Sequence, residues 1–173
     1  MKLSLRMFFV LTIVSFLSGF SLSYIWKISY EKIEIQKKKR IENAIKSVYG
    51  GANRFEDEER NGFRFYRVFK NENFLGYAFI SKGSGYQGEI SVLVGVLPDL
   101  KTLRGIKILE NVETPGLGSK VAEDFFVKQF RRRRCPLRLN VDIKAITGAT
   151  ISSKAVLKIV NNGVKKLEEV FKK

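Results

Sequence analysis

The chain has 173 residues, 45% of them apolar, so it is long enough and apolar enough for one domain of ordinary size and a short additional segment. Its 32 lysine and arginine residues outnumber its 17 aspartate and glutamate residues, which gives a net charge of +15, and it has no histidine and one cysteine, Cys135. This composition excludes histidine-dependent catalytic pairs, histidine-ligated metals and four-cysteine clusters within the chain, so we expect no metal site.

An uncharged segment near the amino terminus, Met7–Trp26, has the length of a transmembrane helix. Its 20 residues would extend over about 30 Å as a helix, which is the thickness of the hydrocarbon core of a bilayer. A cleavable signal peptide is the alternative, but Ser21 and Ser23 make a poor small-residue cleavage site before the bulky Tyr24. We therefore predict a retained single-pass anchor in residues 1–26.

Residues 27–50 predict a second, charged helix. Apolar residues recur there at helical spacing, and glycines at positions 50 and 51 end the pattern. These apolar residues are Ile41, Ala44, Ile45 and Val48. The Lys37–Arg40 run is expected to face solvent or lipid headgroups. Because basic residues follow the apolar span so closely, the positive-inside rule taken alone places the rest of the chain in the cytoplasm.

The remainder, residues 51–173, predicts an α+β domain in which helices pack on one antiparallel sheet. After a loop at 51–62, four runs rich in β-branched and aromatic residues are separated by short turns, which makes consecutive strands antiparallel. The predicted strands are Phe63–Phe69, Phe74–Ser81, Glu89–Leu97 and Leu103–Leu109. Two helices are predicted after them: Ser119–Phe130, with Ser119 as its N-cap, and Ser152–Phe171, which carries an apolar stripe.

A glycine-rich segment, Gly83–Gly88, matches the spacing of a dinucleotide-binding loop. That fingerprint requires a helix immediately after the last glycine, whereas the β-type run Glu89–Leu97 follows here. The segment is therefore predicted to be a hairpin turn between two strands.

Four consecutive arginines, Arg131–Arg134, form a dense positive cluster. No aromatic platform or recognition helix accompanies them, so the pattern does not favour nucleic acid. Contact with an anionic lipid surface or an acidic partner is the functional interpretation, and a solvated loop face is the structural one. A thiol beside such a cluster is expected to have a lowered pKa, which would apply to Cys135, although no role is assigned to it.

Two segments combine small residues with hydroxyl groups in a way that is typical of a ligand site. In Glu113–Lys120, Pro115 fixes a turn, and two glycines leave the backbone open to a flat ligand. In Thr147–Ser153, hydroxyl groups precede a predicted helix, and the first N–H groups of a helix favour an anion. Taken separately, the first segment also fits a plain strand-to-helix connection and the second a capped helix start.

Taken together, ETPGLG at 113–118 and TGATISSKAV at 147–156 resemble the FMN-binding domain of the G subunit of Rnf electron-transport complexes. They are similarly like the C subunit of Na⁺-translocating NADH:quinone reductases, although the short chain favours the Rnf type. The likeness extends to GSGYQGEISVLVGV at 83–96 and to the single amino-terminal span. The resemblance implies that FMN is joined through its phosphate to the last threonine of TGAT, Thr150, by a separate Mg²⁺-dependent flavin transferase that uses FAD.

The resemblance also implies which residues surround the flavin. The two loop glycines would permit the approach of the isoalloxazine ring, and the amides and hydroxyl groups of the second motif would meet the phosphate. The implied cofactor-binding residues are Glu113, Thr114, Gly116, Leu117, Gly118, Thr147, Gly148, Ala149, Thr150, Ile151, Ser152 and Ser153. Two positions depart from the family pattern: Lys144 stands where an aspartate is usual, and Asn111 or Val112 where a histidine is often found.

By resemblance, the chain is expected to relay electrons through covalent FMN within an ion-moving ferredoxin:NAD⁺ oxidoreductase complex, with little turnover of its own and no catalytic residue. Its expected partners are the other subunits of that complex and, during maturation, the flavin transferase. The domain is expected outside the cytoplasmic membrane, where the attachment reaction occurs, in conflict with the positive-inside rule. The alternative is a non-redox, membrane-anchored module whose positive charge binds partners or anionic lipids.

Overall fold

The amino-terminal part of the chain is one long helix. A computed structural model describes residues 2–172, which divide into two compact units after Arg40. Helix α1 extends over Lys2–Tyr49, so the two helices predicted in this region are continuous. Apolar side chains between Leu5 and Trp26 are exposed, and the mean hydropathy is 1.9 over an 18-residue window. Among the described residues, α1 is the one helix long and apolar enough to cross a membrane, a property that an amino-terminal signal sequence would share.

The second unit contains a five-stranded antiparallel sheet whose strands lie in chain order. The strands are β1 (Arg54–Arg60), β2 (Phe63–Lys70), β3 (Asn73–Ser84), β4 (Glu89–Val96) and β5 (Leu103–Asn111). Short helical pieces follow, namely a 3₁₀ helix (Gly118–Ala122), α2 (Asp124–Val127) and a second 3₁₀ turn (Lys128–Phe130). The unit ends with the long helix α3 (Thr150–Lys172). This is the predicted α+β arrangement, and the four predicted strands are confirmed.

Helices cover both faces of the sheet. Successive residues of a strand point to opposite faces, and in β4 the buried Val92 and Val94 belong to the core that contains α3. Leu93, between them, packs instead with Ile45 and Val48 from the end of α1. Because β4 is buried on both faces, the middle of the sheet forms a firm support for α3.

The first strand lies where the sequence predicts a loop. The prediction for 51–62 is wrong because β1, with the sequence RFEDEER, has almost no apolar residues that would reveal a two-residue period. Its acidic side chains pair instead with arginines of β2, as in the 2.8 Å hydrogen bond that Arg64 Nε donates to Asp57 Oδ1. A two-residue turn at 61–62, with both φ angles positive, closes the hairpin.

The predicted helix Ser119–Phe130 is broken into three short pieces. Glu123 is extended, with φ −75° and ψ 152°, and separates the first 3₁₀ helix from α2. This break allows apolar residues on both sides of it, Val121 and Phe126, to be buried in the same core. Ser119 is not an N-cap, because it lies inside the 3₁₀ helix and its Oγ accepts a hydrogen bond from a preceding backbone amide at 3.0 Å.

The arginine run follows the edge of the sheet at β5. The Arg132 N–H donates to the Leu103 carbonyl at 2.9 Å, and the Leu103 N–H donates to the Arg133 carbonyl at 2.8 Å, while the arginine side chains are exposed. Cys135 is buried in the core, and burial, followed by the negative charge of Glu168, raises the pKa of its thiol to about 12. The expectation of a lowered thiol pKa is therefore wrong, because the thiol is packed away from solvent rather than exposed beside the arginines.

Candidate functional site

A groove lies where the β3–β4 turn, the segment after β5 and the start of α3 meet. Its volume is about 440 Å³, within the roughly 300–1,000 Å³ that is typical of small-molecule pockets. It is lined by Tyr86, Thr114, Leu117, Gly118, Gly148, Ala149, Thr150, Ile151 and Ser152. The two motifs that stand out in the sequence therefore contribute to one site.

The turn before α3 is built by a glycine and by Ser153. Gly148 has a φ angle of +80°, which favours glycine, and a Cβ there would lie 3.3 Å from Leu117 Cδ2. The buried Ser153 hydroxyl donates to the Ala149 carbonyl at 2.9 Å and accepts the Ile146 N–H at 3.1 Å. The hydroxyl of Ser153 is thus used within the turn, and Ser153 does not line the groove.

Helix α3 begins at Thr150, whose side chain is exposed on the groove. The N–H groups of Thr150, Ile151 and Ser152 have no acceptor within the helix, since they precede its first hydrogen-bonded amide. That amide belongs to Ser153, which bonds to the Ala149 carbonyl at 2.9 Å. The first turn of α3, which lies within the described part of the chain, carries no acidic side chain that would compete with a ligand for these free N–H groups. The groove therefore places a threonine hydroxyl beside a set of donors suited to an anion.

Behind the groove, the carboxylate of Glu113 is buried and hydrogen-bonded on both oxygens. Oε1 accepts the backbone N–H of Tyr86 at 2.8 Å and that of Gln87 at 3.1 Å, and Oε2 accepts the hydroxyl of Ser152. Because a serine hydroxyl has one proton, Ser152 can offer a ligand only its amide as a donor. Glu113 therefore joins the β3–β4 turn to the start of α3.

These hydrogen bonds lower the pKa of Glu113. Burial by itself raises the pKa, but the Ser152 hydroxyl and the amides of Gln87 and Tyr86 together outweigh it, so the pKa lies below its ordinary value of 4.5. A carboxylate with a lowered folded-state pKa stabilises the fold above its unfolded-state pKa. This stabilisation is lost as the pH falls below 4.5 and through the folded-state value.

We expect Glu113→Gln to reduce the acid sensitivity of the fold. The variant cannot lose stability through protonation at position 113, so its thermal stability should fall less than that of the wild type between about pH 6 and about pH 3. The measurement is circular dichroism of the full chain in detergent during heating. Glu89→Gln, which removes an exposed carboxylate 59% accessible to solvent, is the control and should follow the wild type. Parallel pH curves for the wild type and Glu113→Gln would contradict the expectation.

The two glycines expected to admit a flat ligand have different surroundings. A Cβ at Gly118 would lie 2.8 Å from Glu113 Oε2 and 2.9 Å from Ser152 Oγ, closer than real Cβ contacts. Gly85 in the β3–β4 turn is restricted in the same way by Glu113 Oε1. Gly116 has no atom within 4 Å of such a Cβ. The absence of a side chain at Gly118 therefore makes room for the buried carboxylate of Glu113. The absence of a side chain at Gly116 relieves no contact of this kind.

The groove brings together most of the residues that the sequence predicts for it. Eight of its nine lining residues are among the predicted ones. Of the other predicted residues, Glu113 and Ser153 are buried behind the groove, and Gly116 and Thr147 are exposed beside it. The missed lining residue is Tyr86. Its signals in the sequence are its place between the glycines of the predicted hairpin turn and its inclusion in the segment 83–96, to which the family likeness extends. That turn is confirmed.

The rim of the groove is apolar. Tyr86, Leu117 and Ile151 line it and are 64%, 48% and 58% exposed. Val112 is also exposed, and it packs close to the β3–β4 turn. A Cβ added at Gly88 would lie 2.8 Å from the Cβ of Val112. An apolar rim around a cluster of amide donors suits a ligand with a flat ring and an anionic end.

Residues 85–165 match the FMN-binding domain family. The G subunit of the proton-translocating ferredoxin:NAD⁺ oxidoreductase complex of Clostridium ljungdahlii is 32% identical over 166 residues, which cover 91% of this chain and 88% of that protein. The G subunit of the Na⁺-translocating ferredoxin:NAD⁺ oxidoreductase complex of Acetobacterium woodii is 38% identical over 99 residues, or 51% of this chain and 47% of that protein.

Two solved structures share much of the fold of this chain. NqrC of Shewanella oneidensis has a TM-score of 0.54 at 21% identity, covering 62% of this chain and 61% of its own. The C subunit of the Na⁺-translocating NADH-quinone reductase of Parabacteroides distasonis has a TM-score of 0.55 at 19% identity, covering 62% of each chain. At these identities the likeness concerns the fold alone.

Proposed function

This chain belongs to the family of G subunits of ion-translocating oxidoreductase complexes, and we propose that it is a membrane-anchored electron-transfer protein that carries FMN. Every residue that lines the groove falls within the matched FMN-binding region, 85–165. The coincidence of the groove with this region is the observation that carries the proposal. Other subunits of such a complex are the proposed partners.

The groove residues fit FMN in their chemistry. The free amides at the start of α3 suit a phosphate, which helix amino termini commonly bind. The exposed ring of Tyr86 and the side chains of Leu117 and Ile151 supply apolar surface for an isoalloxazine ring. The left-handed backbone at Gly148 and its contact with Leu117 keep the two motifs close together. The groove therefore offers donors for one end of FMN and an apolar rim for the other.

We propose further that the FMN phosphate is esterified to the hydroxyl of Thr150. Thr150 is exposed, is the first residue of α3 and lies beside the free amides, so a phosphodiester formed there would keep its remaining negative charge next to donors. Tyr86 is the one ionisable side chain among the lining residues, so the groove supplies no base of the usual kind to activate Thr150. A separate flavin transferase is therefore proposed, which transfers the FMN half of FAD to the threonine oxygen and releases AMP.

The mass of the attached group tests this proposal. The full chain, co-expressed with a flavin transferase, is expected to gain the mass of FMN less one water. Trypsin should place the gain in residues 145–154, the peptide AITGATISSK, which holds Thr147, Thr150, Ser152 and Ser153. Fragmentation of this peptide identifies the esterified residue. If this peptide is unmodified although the co-expressed flavin transferase is active, the covalent part of the proposal is overturned.

The chain's own residues hold the cofactor and set the charge around it. FMN supplies the electron-transfer chemistry when it is bound, and the protein supplies placement and electrostatics. The amides of α3 fix the phosphate end, and the apolar rim excludes water from part of the ring. Lys154, exposed one turn after Thr150 in α3, adds positive charge near the start of the helix. Positive charge there favours the more negative charge of a reduced flavin and so raises its reduction potential.

We propose that residues 1–26 stay in the cytoplasmic membrane and that the domain lies on its extracytoplasmic side. This side is where a transferase that acts after export would meet Thr150, and long charged domains translocate despite the positive-inside bias. Fusing alkaline phosphatase or green fluorescent protein to the carboxyl terminus tests the orientation. Phosphatase activity without fluorescence is the expected result, and the reverse pattern would overturn the assignment.

A non-redox, membrane-anchored module that binds partners or anionic lipids is the second candidate. It is favoured by the exposed Arg131–Arg134 side chains and by the net charge of +15. The mass measurement separates the two candidates, because this module would carry no flavin after co-expression with the transferase.

A further inference from the structure

We propose that Glu113 is a positioning residue that acts from behind the groove: its carboxylate holds the β3–β4 turn so that Tyr86 forms one wall of the flavin site. The proposal differs from the implied role of Glu113 as a residue that binds the cofactor directly. It rests on the proposed function only in so far as the ligand is a flavin, since the contact between Glu113 and the turn is a property of the chain itself.

The β3–β4 turn packs against Val112 at Gly88, but its backbone has few polar contacts that would fix it. One backbone hydrogen bond closes the turn, from the Gly85 N–H to the Gly88 carbonyl at 2.7 Å. The next two amides, those of Tyr86 and Gln87, both donate to Glu113 Oε1, at 2.8 Å and 3.1 Å. The Tyr86 side chain is 64% exposed, so packing does not set its position. The carboxylate is therefore the polar group that holds the backbone from which the Tyr86 ring projects.

The carboxylate is itself held in one place. Glu113 is 6% exposed, and its second oxygen accepts the Ser152 hydroxyl from the first turn of α3. Glycines at 85 and 118 pack directly against its two oxygens, and neither position has room for a Cβ. One buried side chain thus connects the turn that carries Tyr86 to the helix start that carries Thr150. A shift of Glu113 would move the wall of the groove relative to the attachment residue.

Amide hydrogen exchange of the flavin-free full chain in detergent tests the contact. Hydrogen bonds to a charged acceptor are worth about 1.5–3 kcal/mol, so Glu113→Ala should speed exchange at Tyr86 and Gln87 by about 10-fold or more. Glu113→Gln keeps a carbonyl oxygen at the same place and should restore part of the protection, because a hydrogen bond to a neutral acceptor is weaker than one to a carboxylate. Glu89→Ala, which removes an exposed carboxylate of the same hairpin bonded to Lys82 at 2.9 Å, should leave these amides unchanged. Unchanged exchange in Glu113→Ala would overturn the proposal.

Flavin fluorescence of the matured full chain tests the wall. A phenol ring in contact with a flavin quenches its emission by electron transfer, so Tyr86→Leu should brighten the attached flavin. Glu113→Ala should brighten it to the same level, whereas Glu113→Gln and Glu89→Ala should stay dim. A loosened turn in Glu113→Ala with wild-type fluorescence would overturn the positioning role. If Glu113→Ala fails to fold, faster exchange at Tyr86 in Glu113→Gln than in the Glu89→Ala control supports the contact, and equal exchange overturns it.

These measurements keep the two proposals apart. The exchange experiment uses protein without flavin, so it reports on Glu113 whether or not FMN is ever attached. The mass of the wild-type chain reports on FMN attachment whether or not Glu113 holds the turn. An unmodified wild type with a Glu113-dependent turn would remove the flavin and keep the positioning of Tyr86 by Glu113.

Discussion

Thr150→Val is expected to abolish covalent flavin while leaving the fold unchanged. Valine has nearly the shape of threonine but lacks Oγ, so no phosphoester can form at position 150. The fold should tolerate the change because the side chain is exposed and the two residues have similar helix propensities. The measurements are the mass of peptide 145–154, in-gel flavin fluorescence, and a circular dichroism melt that matches the wild type.

The neighbouring hydroxyl of Thr147 provides the matched control. It lies three residues earlier in the same turn, but Thr147 does not line the groove, so Thr147→Val should still carry attached FMN. Acid precipitation of both variants separates tethered flavin, which sediments with the protein, from bound flavin, which enters the supernatant. Covalent flavin that persists in Thr150→Val and disappears in Thr147→Val would move the attachment site to Thr147.

The sheet was predictable from sequence where packing leaves a pattern and unpredictable where it does not. In strands β2 to β5 the apolar residues either alternate with polar ones or form continuous runs, because the strands pack against two cores. The turns between these strands are short, so the sequence pattern is strong. Strand β1 is stabilised by its ladder to β2 and by ion pairs such as that of Arg64 with Asp57, which no periodicity reveals. The break at Glu123 was likewise missed because the helical spacing of 119–130 continues through it.

The site was only partly predictable, for a related reason. Glycines, hydroxyl groups and a helix start are local features, so the motifs at 113–118 and 147–153 could be found in the sequence and joined through their family resemblance. The buried bonds of Glu113 connect residues that are 26, 27 and 39 positions apart, and only the fold brings such residues together. Glu113 and Tyr86 therefore acquire their roles from tertiary structure, and the reason for glycine at position 118 is of the same kind.

Gly118→Ala is expected to destabilise the chain by roughly 3 kcal/mol or more, even without flavin. The added Cβ would lie 2.8 Å from Glu113 Oε2 and 2.9 Å from Ser152 Oγ, which are both buried and hydrogen-bonded to each other. The substitution would therefore overpack the site and also weaken a hydrogen bond to a charged acceptor. The melting temperature of the full chain in detergent should fall by roughly 10 °C. Exchange at Tyr86 and Gln87 should accelerate together with this loss.

Gly116→Ala, two residues earlier in the same loop, is the matched control. A Cβ there meets no atom within 4 Å, so its cost is confined to a non-glycine residue at φ +75°, about 1–2 kcal/mol. The protection of the Tyr86 and Gln87 amides should be unaffected, since Glu113 is not displaced. If Gly118 served only to admit the ligand, Gly118→Ala would be as stable as the wild type without flavin and would fail only in flavin attachment. That outcome would refute the packing role of Gly118, because a buried carboxylate is crowded whether or not a cofactor is present.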